Sequence, residues 1–267
     1  MVTNNRIVLI GAGNVATLLG LALQKAGFKI MQVYSRTEAS ASLLGNRLSV
    51  PFITCIENIV KDADIYIVSV KDDVLCTLIP TIVKDREKAL FVHTAGSMPM
   101  NVWERYAPRH GVLYPMQTFS KGREIDFNTV SFFLESNSQS DLHILKNLAS
   151  TLSPKVYEAN TEQRSYLHIS AVFVCNFTNH MYDLSAQLLQ KHGLPFDAML
   201  PLIDETARKV HALHPHEAQT GPAIRRDTNV MDKHLDMLAN EPYTKELYKM
   251  ISDSIMSNII CHPDDIN

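Results

Sequence analysis

Cysteine is scarce in this chain, and what there is lies scattered. Cys55, Cys76, Cys175 and Cys261 are far apart and make no Cys-x-x-Cys pair, so free thiols in a reducing compartment are expected. No stretch approaches about 18 consecutive apolar residues, and no apolar signal opens the sequence. A soluble, cytoplasmic protein that neither spans a membrane nor is exported is therefore predicted. Net charge is only −3, which leaves no basic surplus for nucleic acid or an anionic membrane. Internal repeats and low-complexity tracts are also missing. What 267 residues allow is one large globular domain or two modest ones.

Against these absences one stretch stands out: Arg6-Ile-Val-Leu-Ile-Gly11-Ala-Gly13-Asn14-Val15-Ala16. The apolar run Ile7 to Ile10 reads as a buried strand that breaks into a glycine turn. Apolar residues then recur at helical spacing (Val15, Leu18, Leu19, Ala22, Leu23) up to Gly27, placed as a C′ glycine. Gly11 permits a tight turn, Gly13 lets a pyrophosphate approach the backbone, and Ala16 lets helix and strand pack closely. The first N–H groups of such a helix are unpaired and favour phosphate. The alternative is a phosphate-free strand–helix–strand unit that uses its glycines for packing alone.

Downstream, apolar strand-like runs alternate with helical ones. Strands are expected at 29–35, 51–54, 65–70, 90–93, 111–114, 130–135 and 155–158, with helices at 38–48, 57–61, 72–83 and 142–152. This order predicts an α/β fold with a doubly wound, mostly parallel sheet. After about Thr161 the strand pattern stops. The expected division is a nucleotide-binding Rossmann domain over 1–160 and an all-α domain over 161–267 for substrate and dimerisation.

The end of the second strand selects the nucleotide. A carboxylate there would bond a ribose 2′-hydroxyl, but the sequence reads Tyr34-Ser35-Arg36-Thr37. The Arg36 guanidinium with the hydroxyls of Ser35 and Thr37 suits a 2′-phosphate, so NADP is expected over NAD. The alternative is that Arg36 is a solvated loop charge. Ligands of such sheets lie across the strands' carboxyl ends. Val70, Lys71 and Asp72, and Thr94, Ala95 and Gly96, are therefore expected to join Gly11, Gly13, Asn14, Val15 and Ala16 around the cofactor. Asp72 and Asp73 are expected to cap the following helix, and His93 is expected in the core.

These residues together resemble the Rossmann family related to pyrroline-5-carboxylate reductase and the 6-phosphogluconate dehydrogenase-like enzymes. A closer resemblance is to a branch of candidate NADP oxidoreductases whose C-terminal domain has no assigned function. Tyr114-Pro-Met-Gln-Thr-Phe119 is similar to its His-Pro-Leu-Gln-Thr-Phe motif. Ala171-Val-Phe-Val-Cys-Asn-Phe177 is similar to its Ala-Val-Phe-x-x-Asn-Phe, and Thr220-Gly-Pro-Ala-Ile-Arg-Arg-Asp227 to its Thr-Gly-Pro-Ile-Ala-Arg-Gly-Asp. Tyr114 stands where the family has histidine, and Arg226 where it has glycine.

In the second half, 166–189 reads as one long helix with apolar residues almost all round, hence buried in the domain or in a subunit interface. At 100° per residue, His168, Cys175, Asn176, Asn179 and Asp183 share one narrow sector. An active-site cleft or subunit-to-subunit hydrogen bonding could supply their partners. The resemblance to β-hydroxyacid dehydrogenases implies a catalytic lysine four residues before Asn176, but Val172 is there. His168 is the candidate proton donor, since histidine ordinarily titrates near neutrality. Asn176 would orient a substrate oxygen or the nicotinamide amide, and Gln117 and Thr118 would contact substrate. Gly221 and Arg225 could hold a substrate carboxylate or phosphate; alternatively, the arginines form a salt bridge in the glycine turn while Asp227 caps the next helix. His211, His214, His216 and Glu217 are interrupted by Pro215, and no metal is expected. Two further helices, parted near Asn240-Glu-Pro242, bring an apolar face that includes Ile259, and His262 to Asp265 reads as a frayed tail.

The reading that follows is an NADP-dependent oxidoreductase, a homodimer, moving hydride between nicotinamide and a small carbonyl or imine substrate in an interdomain cleft. Two others stand beside it: a non-catalytic NADP-binding regulator or sensor, and a deazaflavin-dependent NADP oxidoreductase.

Overall fold

The computed structural model of the chain describes residues 5–120 and 122–258. Cys261, Ile259 and the segment His262 to Asp265 lie outside them. Eight strands form one sheet in the order β3-β2-β1-β4-β5-β6-β7-β8. They are β1 (Arg6–Ile10), β2 (Lys29–Tyr34), β3 (Phe52–Ile53), β4 (Ile65–Val68), β5 (Leu90–His93), β6 (His110–Met116), β7 (Ser131–Ser136) and β8 (Val156–Glu158). All pairings are parallel except β6 with β7. The helices of this half are α1 (Asn14–Lys25), α2 (Glu38–Leu48), α3 (Asp72–Val83) and α4 (Gln139–Ser150), with α5 (Thr161–Ala171) following the last strand. The doubly wound, mostly parallel reading holds. The helix expected at 57–61 is instead a single 3-10 turn, Ile56–Asn58.

The alternation of β1 builds both layers of the core. Ile7 and Leu9 join a cluster with Leu19, Leu23, Leu44 and Leu48, while Val8 and Ile10 join Tyr66, Phe91 and Trp103 on the other face. A strand covered on both faces has no polar side to show, which is why it reads as an unbroken apolar run. Each such side chain contributes roughly 1.5–3 kcal/mol by leaving water. Gly27, at φ 92°, follows the C-cap Ala26 and closes α1 as expected. Register carries the site: Tyr114 of β6 pairs with Phe133 of β7, two residues before Glu135.

The chain divides into two compact units, one running to Phe177 and the other starting at Thr178. The strands end at Glu158, and α5 still packs within the first unit, where Arg164 is fully buried. The expected long helix is not uniform. Between α5 and α6 (Thr178–Lys191) lies a π-helical segment, Val172–Phe177. Its wider turn changes the rotation per residue, so counting at 100° does not carry from His168 to Asn176. Nor is the first part of this run buried within the chain: Tyr166, Ile169, Phe173 and Phe177 are exposed, and Val174 is 70% exposed.

The second unit continues with α7 (Leu200–Ala212), α8 (Thr228–Met237) and α9 (Pro242–Asn258). Asp227 caps α8 by accepting the Val230 N–H at 3.2 Å. Few of its described residues are buried, namely Ala223, Met231, Leu238 and Ser252, whereas Leu202, Met237, Tyr243 and Met250 are exposed. No helix among the described residues is long and apolar enough to cross a membrane.

Candidate functional site

Parallel strands deliver their carboxyl ends to one edge, and there a cavity of about 730 Å³ opens in the first unit. Gly11, Gly13, Asn14 and Val15 form its floor, Ser35 and Arg36 one side, and Val70, Lys71 and Asp72 another. Thr94, Ala95, Gly96, Ser97, Tyr114, Pro115, Gln117, Phe119 and His168 close the far end. Most of the expected cofactor residues thus share one wall system. Ala16 does not line it but lies buried beneath the turn, and Thr37 stands at the N-cap of α2.

The two glycines of the turn do different work. Gly11 has φ 111°, and a Cβ there would sit 2.2 Å from the Ser69 carbonyl oxygen. Its N–H donates to the Tyr34 carbonyl at 2.8 Å, tying β1 to β2 where both end. Around Gly13 a Cβ would meet no described atom within 4 Å, so its lack of a side chain serves the cavity and not packing. Gly13 is also the N-cap of α1 and supplies no side-chain cap, which leaves first-turn N–H groups for an anion. Arg36 is exposed on the wall beside Ser35. This donor set suits a dinucleotide diphosphate and a 2′-phosphate.

Asp72 and Asp73 do not cap α3; its N-cap is Lys71, with no side-chain cap bond. The Asp72 carboxylate instead accepts a hydrogen bond from the Ser97 hydroxyl, and the Thr94 hydroxyl donates to Ser69 Oγ at 2.9 Å. Those bonds link the β4 and β5 ends across the cavity. The Asn14 side chain donates to the Phe119 carbonyl at 2.8 Å and joins the glycine turn to the loop after β6.

At the far end, the Tyr114 hydroxyl lies 3.3 Å from Nδ1 of His168, with the rings edge to face. Burial holds the Tyr114 phenol above its ordinary pKa; Cys175 nearby adds to this and Arg164 opposes it. Beneath, His93 is fully buried as expected, stacks on Trp103, and accepts the Ala95 N–H on Nδ1 at 3.2 Å. Desolvation, helped by the Arg164 charge, lowers its pKa to about 3, so the ring is neutral.

Asn176 is exposed and not part of this wall, while Thr118 donates its N–H to Gln117 Oε1 at 2.8 Å. In the second unit Gly221 has φ 109° and Arg225 is exposed. Arg226, where the resembling family carries glycine, is held at φ 52°, a conformation that glycine adopts freely. Sequence reasoning gave no role to Tyr114 or Arg164. The signal for Tyr114 was present, as a departure from a histidine in its motif. Residues 6–96 match the family of NADP oxidoreductases described as coenzyme F420-dependent, and residues 130–255 match a domain family of unknown function, DUF2520. A candidate NADP oxidoreductase from Bacteroides fragilis is 57% identical over 95% of this chain and 98% of its own, with a TM-score of 0.92.

The chain belongs to that family of candidate NADP oxidoreductases, a Rossmann domain joined to a DUF2520 domain. More distant structures share the fold. An imine reductase from Myxococcus stipitatus in complex with NADP+ is 16% identical over 94% of this chain and 92% of its own, with a TM-score of 0.69. A 1-pyrroline-5-carboxylate reductase from Streptococcus pyogenes is 14% identical over 96% of this chain and 100% of its own, with a TM-score of 0.64. No protein of curated function is significantly similar in sequence.

Proposed function

We propose that the protein is an NADP-dependent oxidoreductase that reduces a small carbonyl or imine compound, with His168 as proton donor. The observation that carries this reading is the Tyr114–His168 pair in the cavity that also holds the glycine turn. Gly11 to Val15 and the free N–H groups of α1 would hold the diphosphate, and Ser35 and Arg36 the 2′-phosphate. NADPH, when bound, supplies a hydride.

The chain's part is to place the substrate and deliver the balancing proton. In the protonated imidazole, Nδ1–H donates to the Tyr114 oxygen and Nε2–H is offered to the substrate nitrogen or oxygen. The Nε2–H bond breaks as the new N–H or O–H bond forms, and a neutral ring remains, its tautomer set by Tyr114. Because burial raises the Tyr114 pKa, the phenol stays neutral and serves as a fixed partner. Gln117, Thr118 and Asn176 are proposed to contact substrate or the nicotinamide amide, and Gly221 and Arg225 to bind an anionic substrate group.

A cytoplasmic homodimer is part of the proposal. The second unit buries few residues by itself and exposes Leu202, Met237, Tyr243 and Met250, which a second copy would cover.

The test is NADPH oxidation, followed at 340 nm, with a panel of cyclic imines and small ketones. Turnover that His168→Ala abolishes, with NADPH binding intact, supports the reading. NADPH binding without turnover on any member favours the regulator or sensor. Turnover only with a deazaflavin present favours the third reading, which the description of the N-terminal family supports.

A further inference from the structure

Arg164 is fully buried, yet its Nε has no hydrogen-bond partner among the described residues. A buried ion pair with an unsatisfied donor is a poor stabiliser, because desolvation offsets most of its Coulombic gain. Its geometry is more informative. One Arg164 nitrogen pairs with Glu135 at the end of β7, and another donates to the Met98 carbonyl at 2.7 Å and to Thr161 Oγ1 at 3.3 Å. Glu135 also accepts the Thr161 N–H at 3.1 Å and its hydroxyl at 3.0 Å, while Thr161 Oγ1 accepts the Met100 N–H at 3.2 Å.

Three pieces of chain therefore meet at one guanidinium. Met98 ends the loop that carries Gly96. Glu135 lies two residues beyond Phe133, the cross-strand partner of Tyr114. Arg164 itself lies one helical turn, about 6 Å, before His168 on α5. The loop and α5 carry Gly96 and His168, and β7 pairs with the strand that carries Tyr114.

From this convergence we infer that Arg164 is a positioning residue, which sets the height of His168 over Gly96 and the electrostatic environment of the Tyr114 phenol. The inference rests on the proposed catalytic pair, but its first readout does not require turnover. The groups that face Tyr114 are His168 and Arg164 from α5 and Cys175 from the π-helical segment; Glu135 of β7 compensates the arginine. Loss of the cation leaves burial and Cys175 unopposed.

The experiment compares wild type, Arg164→Gln and Arg164→Lys by NMR, with labelled tyrosine and histidine ring atoms, after thermal melting and NADPH titration have shown each to be folded and to bind NADPH within about twofold. For Arg164→Gln, the Tyr114 titration is expected to move up and the His168 ring resonances to shift. In Arg164→Lys, one ammonium keeps the charge but cannot span Glu135 and the Met98 carbonyl. The phenol titration should then stay within a few tenths of a unit while the His168 resonances still shift. If Arg164→Gln does not fold, the lysine variant decides alone. A folded variant with Tyr114 and His168 both unchanged overturns the inference. Should the imine panel give turnover, Arg164→Gln should lower kcat at least tenfold and leave the KM for NADPH within threefold. Turnover that survives His168→Ala would end the catalytic reading and leave the NMR result standing.

Discussion

A Cβ on Gly96 would lie 2.8 Å from Nδ1 of His168 and 2.7 Å from Cζ of Tyr114. The pair therefore rests on a backbone with no room for a methyl group. Gly96→Ala should cost about 1–3 kcal/mol by overpacking and push the two rings apart. Thermal melting and the imine-reduction assay check this. An alanine variant with unchanged melting and turnover would show that the helix yields freely.

The two glycines of the first turn should respond in opposite ways. Gly11→Ala combines φ 111° with a 2.2 Å contact to the Ser69 carbonyl, so the fold itself should suffer by several kcal/mol. Gly13→Ala meets no described atom within 4 Å and should melt like wild type while losing at least about tenfold in NADPH affinity, since the pyrophosphate can no longer approach. Fluorescence titration with NADPH separates the two. Equal affinity for wild type and Gly13→Ala would remove the phosphate role.

Cofactor choice turns on Ser35 and Arg36, which share one wall of the cavity. Ser35→Asp with Arg36→Ala should weaken NADPH binding by about 2 kcal/mol or more, while NADH binding holds or improves. Thermal shifts with the four nicotinamide nucleotides, side by side, give the answer. A uniform loss for phosphorylated and unphosphorylated forms would mean that Arg36 is only a solvated charge.

His93 predicts a pH effect on stability. Its folded pKa is depressed to about 3 from an ordinary 6.5, so between those values the unfolded chain binds the extra proton. Stability from this group is complete above about pH 6.5 and is lost as pH falls towards 3, at up to about 1.4 kcal/mol per unit. His93→Asn, which can still accept the Ala95 N–H, should be less stable than wild type at pH 7, and by pH 4.5 the gap should narrow by about 2 kcal/mol. Denaturant titrations at both pH values measure it, and a constant gap would contradict the buried neutral ring.

Val174, 70% exposed on the π-helical segment, tests whether the proposed dimer also uses the apolar face of that segment. A charge there should oppose apolar association. Val174→Glu should shift the protein towards monomer in light scattering and leave NADPH binding within about twofold. A wild-type monomer, or a dimer unmoved by the glutamate, would count against association through this face.

The Rossmann half was legible because its strands are local and covered on both faces. Ile7 to Ile10 show this as an unbroken apolar run, and the turn that follows needs glycine for steric reasons visible in the letters themselves. The helical half left one point open. Ile169, Phe173, Val174 and Phe177 read as buried in the domain or in a subunit interface; they are exposed in the single chain, and apolar patterning cannot say whether a covering surface belongs to the same copy. The π-helical segment also defeats counting by constant rotation, so Asn176 and His168 were grouped by arithmetic that the backbone does not follow.

The sequence by itself determined the order of strands and helices, the glycine turn, and the absence of a carboxylate after the second strand. Each depends on neighbours a few residues apart. Only the tertiary structure decided that Tyr114, His168 and Gly96 meet, and that Arg164 joins Glu135 to the Met98 carbonyl beneath them. These partners are separated by between 18 and 72 positions along the chain. Their proximity comes from sheet order and from where α5 packs, and no local periodicity encodes either.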